Sequence, residues 1–280
     1  MRGNLSRFGL IGQSPAMIQL GEWVYQAAPH WDTILITGER GTGKELLARA
    51  LHQLGPTRGA EPVVVDCAAL HPATIESALF GHERGAFTGA SRQRTGFLEL
   101  AHERSLFLDE ISSLPLELQG RLLRFLEQRT LTRVGATRPI PIRTRVIAAT
   151  NRDLLEEARQ GRFLPDLADR LGVLRVRIPP LRERGEDLEL LIAHFLENET
   201  ACHFTPEALA LLRSYSFPGN VRELRNLCRR IVIFHPAGRI GKDALLPWLD
   251  ICDGRGMDAG DFQEGKESFN RMNPPEPRYA

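Results

Sequence analysis

The sequence of 280 residues lacks paired cysteines, long apolar runs and an excess of charge of either sign. Its cysteines form no Cys-x-x-Cys pair, so neither a zinc site nor a disulfide framework is expected; they are Cys67, Cys202, Cys228 and Cys252. No stretch approaches the roughly 18 apolar residues that span a membrane, and the start of the chain lacks the apolar core of a signal peptide. We therefore expect a cytoplasmic protein with no membrane partner. A net charge of +1 provides no overall basic surface for nucleic acid.

The remaining composition is typical of a globular protein, with 42% hydrophobic and 25% charged residues. Strand and helix signals alternate from about Thr33 to Ile178, which predicts an α/β fold with a parallel sheet and helices on both faces. A helix is predicted from Pro115 to about Gln128, with Leu116, Leu122, Leu123 and Leu126 on its apolar side. From Glu186 onwards the signals are only helical, so residues 181–250 are predicted to form a small helical subdomain. Its expected helices are 187–197, 205–214 with Thr205 as N-cap, and 220–234.

A candidate phosphate-binding loop follows the first predicted strand. Gly38-x-x-x-x-Gly43-Lys44 lies between a β-branched run and a helical run, which is the context that such a loop requires. The glycines let backbone N–H groups face phosphates, the helix N-terminus adds a positive dipole end, and Lys44 is expected to reach the β- and γ-phosphates. Glu45 stands where the general motif has a magnesium-binding Ser or Thr. The candidate nucleotide-binding residues are Gly38, Glu39, Arg40, Gly41, Thr42, Gly43, Lys44 and Glu45.

Two further predicted strands end in polar side chains. The apolar run that begins at Ser105 ends in Asp109 and Glu110. Downstream of a phosphate loop, such a pair is typical of a nucleoside triphosphatase: Asp109 is expected to hold Mg²⁺ through water, and Glu110 to polarise the attacking water as a general base. The strand that begins at Arg145 ends in Thr150 and Asn151, and either side chain is expected to sense the γ-phosphate.

The segment Gly85-Ala86-Phe87-Thr88-Gly89-Ala90 is predicted to be a mobile loop tip. Its glycines disfavour a helix interior, and it lacks the alternation of a strand. The tip offers one aromatic ring, Phe87, for contact. The next run, Phe97–Leu100, alternates and is predicted to return from this loop in extended form.

These segments together resemble the central ATPase domain of sigma-54-dependent bacterial transcription activators, which belong to the AAA+ class. The resemblance covers about residues 8–250. It is carried by residues 38–45, 76–90, 105–110, 122–126, 148–151, 179–184 and 218–224. It implies an AAA+ α/β ATPase subdomain at 8–180 and a helical lid at 181–250. It also implies ATP and Mg²⁺ as cofactors, assembly into a ring, expected to be a hexamer, and sigma-54 RNA polymerase holoenzyme as the partner that residues 85–90 contact.

The resemblance also assigns Arg222, in Pro218-Gly-Asn-Val-Arg, to reading the nucleotide from the lid. Two positions depart from the family pattern. Asp66 stands where the family has an Asn beside the catalytic glutamate, so it is expected to repel Asp109 and Glu110 or to share a proton with Glu110. Leu164 replaces the first of two arginines that reach a neighbouring subunit's nucleotide, which leaves Arg170 as the candidate arginine finger.

The chain has no recognisable sensor domain before the ATPase domain and no DNA-binding helix-turn-helix after it. Residues 251–280 are predicted to be a disordered tail, and site-specific DNA binding is not expected of this chain alone. We therefore expect one of three cases: the chain is a fragment, it acts without site-specific DNA binding, or it relies on the DNA-binding domain of a partner. The main alternative function is a nucleotide-binding co-regulator that hydrolyses little ATP and assembles with an active paralogue. A general unfoldase or a small-molecule kinase is disfavoured by the intact segment 85–90.

Overall fold

The computed structural model describes residues 4–197, 202–235 and 238–249. The strands are β1 (Ile34–Thr37), β2 (Val63–Asp66), β3 (Ser105–Asp109), β4 (Thr130–Leu131), β5 (Ile140–Pro141), β6 (Arg145–Thr150), β7 (Leu174–Arg177), β8 (Cys202–Phe204) and β9 (Gly238–Ile240). The helices are α1 (Pro15–Ala27), α2 (Lys44–Gln53), α3 (Pro72–Phe80), α4 (Phe97–Leu100), α5 (Leu116–Gln128), α6 (Leu154–Arg159), α7 (Pro165–Leu171), α8 (Asp187–Phe195), α9 (Pro206–Ser214), α10 (Asn220–Phe234) and α11 (Lys242–Leu249). The predicted tail at 251–280 lies outside the described residues.

The main sheet has the strand order β2-β3-β6-β1-β7, and every neighbouring pair is parallel. Its central strands are buried on both faces, which explains the continuous apolar runs in the sequence. Alternate side chains point to opposite faces. Leu106 and Leu108 belong to a core shared with α3, α5 and α7, whereas Phe107 belongs to a second core shared with α1 and α2. The predicted α/β fold with helices on both faces is therefore confirmed.

Residues 181–249 have a separate apolar core, formed by α8, α9, α10 and α11. The predicted N-cap is confirmed, because the Thr205 hydroxyl accepts a hydrogen bond from the Ala208 N–H at 3.3 Å. The expectation of helical structure alone was wrong, since β8 and β9 form a short parallel pair in this subdomain. Each strand has three residues, too few to show a period in the sequence. The adjacent residues Cys202 and His203 lie in β8.

Two other predictions were wrong in detail. Phe97–Leu100 forms the helical turn α4 instead of an extended return, because an alternation over four residues also fits a single turn with one buried side chain, here Leu98. In α5, Leu116 was expected on the apolar face but is 46% exposed. The buried apolar residues of α5 are Leu118, Leu122, Phe125 and Leu126. Leu116 precedes Leu118 by two residues, about 200° around the helix, and so faces the other way.

Candidate functional site

The predicted phosphate loop connects β1 to α2 at the carboxyl edge of the sheet. Gly41 and Gly43 have φ values of +78° and +105°, in the left-handed region that glycine tolerates best. Lys44 is the first residue of α2 and is 8% exposed. Its Nζ donates hydrogen bonds to the carbonyl oxygens of Gly38 at 3.0 Å and Glu39 at 3.3 Å. The loop thus holds its ammonium group in the concavity that the strand-to-helix turn forms.

The predicted acidic pair lies beside this lysine. Asp109 is the last residue of β3, and its Oδ1 accepts the Glu110 N–H at 3.0 Å. Glu110 follows with a φ of +47°, an unfavourable value for a non-glycine residue that is commonest at functional sites. Its Oε1 lies 3.8 Å from Lys44 Nζ. The loop and both carboxylates therefore meet where open parallel sheets bind ligands.

Burial dominates the electrostatics of this cluster. It lowers the pKa of Lys44, and the negative charges of Glu110 and Asp109 oppose that shift. Burial also raises the pKa of Asp109; repulsion from Glu110 adds to the shift, while the Glu110 N–H and Lys44 oppose it. Burial therefore shifts the pKa of each group in the direction of its neutral form, and a charged ligand bound beside them would change both pKa values.

The end of β6 supplies the other predicted polar residues. Thr150 is fully buried, and its hydroxyl donates to Ser112 Oγ at 3.1 Å. The backbone N–H of Asn151 donates to Glu110 Oε2 at 3.4 Å. Asn151 also lines a groove with Gly38 and Glu39. Asn151 is thus placed beside both the loop and the candidate base, whereas the Thr150 hydroxyl is engaged with Ser112.

Asp66 is paired in register with Asp109 on the neighbouring strand. Its side chain is exposed, and its Oδ1 accepts hydrogen bonds from the N–H groups of Ala68 at 2.9 Å and Ala69 at 3.2 Å. The charge of Asp66 nevertheless contributes to raising the pKa of Asp109. The structure places Asp66 as an electrostatic neighbour of the acidic pair, and its carboxylate caps the turn after β2.

The remaining side chains of the loop point in several directions. Glu45 is exposed and pairs with Arg49 one turn along α2, at 2.7 Å. The buried Thr42 hydroxyl donates to the Glu39 carbonyl at 2.9 Å. Arg40 is exposed and lines a pocket together with Arg222. Among the described residues of this loop, Lys44 is therefore the one whose side chain forms an ion pair with the acidic pair.

The lid contacts the loop through the start of α10. The backbone N–H of Arg222 donates to the Gly41 carbonyl at 3.3 Å. A Cβ on Gly41 would lie 2.1 Å from the Gly219 carbonyl oxygen, so only glycine fits at this contact. The positive charge of Arg222 contributes to lowering the pKa of Lys44. Arg222, which the resemblance assigned to contacting the nucleotide from the lid, therefore lies next to the loop.

Arg170 contacts helix α5 of its own chain. It is exposed on α7, and its Nη2 donates to the Leu126 carbonyl at 3.4 Å. Helix α5 spans Leu116–Gln128, so this contact lies in its last turn. Leu164 packs half-buried against the core, and its N–H donates to Gln119 Oε1 at 2.8 Å.

The segment 85–90 forms an irregular tip between α3 and α4. The Gly85 N–H donates to the Ala90 carbonyl at 2.8 Å, and Phe87 is 48% exposed. The covered part of the Phe87 ring meets the His82 ring edge-on, with centroids 4.9 Å apart. His82 is buried and contacts Ser77 Oγ at 2.7 Å and the Arg92 carbonyl at 3.0 Å. Thr88 and Gly89 are also exposed, and Ala86 and Ala90 face inward.

Sequence reasoning missed several residues that hold these groups in place. They are Ser112, which accepts the Thr150 hydroxyl; His82, whose ring packs against Phe87; and Arg182 and Asn220, which donate hydrogen bonds to Glu39. Asn220 was detectable in part, because an Asn that follows Pro-Gly tolerates the left-handed φ of +53° that it adopts. The other contacts join distant segments, so no local spacing indicates them.

The sequence also led to expectations about metal sites, cysteines and membrane-spanning helices. Among the residues that the structure describes, no three His, Cys, Asp or Glu side chains come together as a metal site requires. Cys67 and Cys228 are free and buried, and burial raises the pKa of each thiol to about 12. None of the helices in residues 4–197, 202–235 and 238–249 combines the length and apolarity needed to cross a bilayer.

Comparison with known proteins identifies the family. The profile of the Sigma-54 interaction domain matches residues 10–177, and that of the AAA+ ATPase lid domain matches residues 182–250. Among curated proteins, the chain is 48% identical over 242 residues to the DNA-binding transcriptional regulator NtrC of Azospirillum brasilense. This match covers 84% of the chain and 50% of NtrC. It is 47% identical over 249 residues to the Nif-specific regulatory protein of Klebsiella pneumoniae, covering 85% of the chain and 47% of that protein. The chain thus spans about half the length of these relatives.

Solved structures agree with the sequence relatives. The crystal structure of NtrX from Brucella abortus in complex with ATP superposes with a TM-score of 0.78 at 33% identity, covering 94% of this chain and 61% of NtrX. The complex of the same protein with ADP gives a TM-score of 0.77 at 35% identity, covering 85% of this chain and 55% of NtrX. The chain belongs to the family of sigma-54-dependent transcriptional activators and contains that family's AAA+ domain with its lid.

Proposed function

We propose that this chain is an ATP-hydrolysing subunit of a cytoplasmic ring that remodels sigma-54 RNA polymerase. The observation that carries the proposal is the meeting of Lys44 with Asp109 and Glu110, with Lys44 Nζ 3.8 Å from Glu110 Oε1. A phosphate-binding lysine beside a candidate metal ligand and a candidate base is the minimum that triphosphate hydrolysis needs. The NtrX structures with ATP and ADP support a nucleotide as the ligand of this site.

The described residues fit an ATP–magnesium substrate. The left-handed glycines and the N-terminus of α2 direct backbone N–H groups and the positive helix end to the phosphates. Lys44 would exchange its carbonyl partners for phosphate oxygens. A magnesium ion would neutralise charge on the phosphates, and Asp109 would hold it through water. Glu45 is engaged with Arg49, so it is not expected to replace the missing Ser or Thr ligand.

Glu110 is the proposed general base for the attacking water. The N–H of Asn151 and the ammonium of Lys44 both face its carboxylate, which orients it. Asn151 and Arg222 are proposed to read the γ-phosphate, from the sheet and from the lid respectively. Arg170 is proposed to complete the site of the neighbouring protomer; within its own chain it is exposed and donates to the Leu126 carbonyl. An arginine in that role stabilises charge on the transferred phosphoryl group.

The loop tip at residues 85–90 is proposed to transmit the effect of the ATPase cycle to sigma-54. Residues 85–90 contain no charged side chain, and Phe87 and Thr88 are exposed at the end of an irregular segment. We propose that nucleotide binding moves this tip to contact sigma-54. The match of residues 10–177 to the Sigma-54 interaction domain supports this assignment of the partner.

A second candidate function rests on the two departures from the family pattern. Asp66 adds a negative charge beside the acidic pair, and Leu164 is packed against the core where the family has an arginine. Both changes favour a co-regulator with weak ATPase activity that assembles with an active paralogue. ATPase rate measured against concentration of the purified chain separates the two functions. The ATPase proposal expects specific activity to rise as rings form, whereas the co-regulator alternative expects turnover only after an active paralogue is added.

Lys44→Ala is the matched test of the site itself. It removes the ammonium group from the loop while β1 and α2 retain their core contacts, so it should abolish ATP binding and leave the circular dichroism spectrum unchanged. Wild-type turnover by Lys44→Ala would contradict the assigned site.

A further inference from the structure

Glu39, Arg182 and Asn220 form a clasp between the phosphate loop and the lid. Arg182 donates from both terminal nitrogens to the Glu39 carboxylate, at 2.7 and 2.5 Å. Asn220 Nδ2 donates to the same carboxylate at 3.1 Å. The three residues come from the loop, the first turn of the lid and the start of α10, so the clasp joins both subdomains at the nucleotide site.

Asn220 fixes the geometry of this clasp. It is fully buried and has a φ of +53°. Its Oδ1 accepts the Leu181 N–H at 2.8 Å, and its Nδ2 also donates to the Arg40 carbonyl at 3.0 Å. One amide therefore bonds the loop backbone, the loop side chain and the first residue of the lid. A buried amide with its donors and acceptor engaged holds its partners in a single arrangement.

Arg222 lies next to the clasp on helix α10. Arg222 follows Asn220 by two residues, and its N–H contacts the Gly41 carbonyl at 3.3 Å. Gly219 and Gly41 are in direct backbone contact at the same place. If the start of α10 moved away from the loop, these contacts and the position of Arg222 would be lost together.

We propose that the Glu39–Arg182–Asn220 clasp positions Arg222 on the nucleotide, and that Glu39 acts as a positioning residue rather than as a phosphate ligand. This inference rests on the proposed ATP site. Glu39 belongs to a loop that binds polyanions, where a free carboxylate would repel phosphates. Two guanidinium hydrogen bonds neutralise that carboxylate and turn it toward the lid.

The first experiment measures the affinity of the full chain for a fluorescent ATP analogue. Glu39→Gln should weaken binding about fivefold, the effect of one partly exposed ion pair. Arg182→Ala should weaken it more, because it leaves the Glu39 charge beside the phosphates. The double variant should bind as well as Glu39→Gln alone. Glu183→Gln is the matched control: its carboxylate pairs with Arg177 of β7 at 2.9 and 2.8 Å, so its affinity should equal wild type.

The second experiment separates positioning from a general loss of stability. In an Arg222→Ala background, Glu39→Gln should cause no further loss of affinity, because the group that it positions is already absent. A full additional fivefold loss in that background, or an equal loss from Glu183→Gln, would overturn the inference. If wild type binds no ATP analogue, the proposed function fails and the inference with it. If wild type binds and Arg222→Ala weakens binding while Glu39→Gln and Arg182→Ala do not, the inference alone fails.

Discussion

The substitution Glu110→Gln tests the proposed role of Glu110 as the general base of ATP hydrolysis. The change preserves the size of the side chain and the contact with the Asn151 N–H, but it removes the base and the negative charge 3.8 Å from Lys44 Nζ. Loss of a general base costs about 10²- to 10⁴-fold in rate. A unit charge pair at this distance is worth at most about 4 kcal/mol at an effective dielectric constant of about 20. Solvent lowers that figure here, because Glu110 is 23% exposed.

In Glu110→Gln, Lys44 loses one of the negative charges that oppose the lowering of its pKa by burial. The triphosphate of ATP supplies negative charge at the same place, so we expect Glu110→Gln to bind ATP at least as tightly as wild type. Steady-state phosphate release should fall by two to four orders of magnitude. A fluorescent nucleotide titration and a phosphate-release assay on one preparation measure both quantities.

Glu103→Gln is the matched control for this variant. Glu103 is also a glutamate at a positive φ, +56°, and it is exposed beside Arg143 at 3.7 Å. The same substitution there should change neither turnover nor ATP affinity. Normal hydrolysis by Glu110→Gln would refute the assignment of the base and would point to Asp66.

Four further variants have distinct expected results. Asp109→Asn should abolish magnesium-dependent turnover. It should also increase the free energy of unfolding more at pH 7 than at pH 4, because the raised pKa of Asp109 means that its ionised form destabilises the fold as pH rises; an equal increase at both pH values would contradict this. Asp66→Asn should shift the acid limb of the rate profile to lower pH, since it removes a charge that raises the pKa of Asp109; an unmoved limb would argue against that coupling. Arg170→Ala should reduce turnover at every protein concentration with little change in ATP affinity, and unchanged turnover in assembled rings would exclude a role across subunits. Phe87→Ala should leave ATPase activity near wild type but eliminate open-complex formation at a sigma-54 promoter, and a variant that still supports transcription would remove the tip from the mechanism.

The centre of the main sheet was predictable from the sequence because its central strands are buried on both faces. Uninterrupted apolar runs such as Leu106–Leu108, each followed by polar residues, indicate parallel strands and their carboxyl ends without further information. The strand-to-helix turn at residues 38–44 was equally predictable, since its glycines and lysine are close together in the sequence. Short elements were not predictable: β8, β9 and α4 have three or four residues, which is less than one period of any reliable pattern.

The arrangement around the loop depended on contacts between distant segments. Glu39 was chosen from the sequence as part of a phosphate site, but its carboxylate bonds Arg182, 143 residues away. Asp66 was expected to repel Asp109 and Glu110 or to share a proton with Glu110; its charge contributes to raising the pKa of Asp109, while its carboxylate accepts the Ala68 and Ala69 N–H groups. Local spacing identifies which chemical groups reach the edge of a sheet. The direction of each side chain depends on partners that tertiary packing supplies.

Nucleotide-dependent binding to sigma-54 tests the central claim most directly. Purified chain is mixed with isolated sigma-54 without nucleotide, with ADP, with ATP, or with ADP and aluminium fluoride as a mimic of the hydrolysis transition state, and complexes are separated by native electrophoresis. We expect a complex with ATP or the mimic, and none with Lys44→Ala or Phe87→Ala under any condition. Binding that is equal with and without nucleotide, or absent in all four mixtures, would contradict an ATP-driven contact with sigma-54.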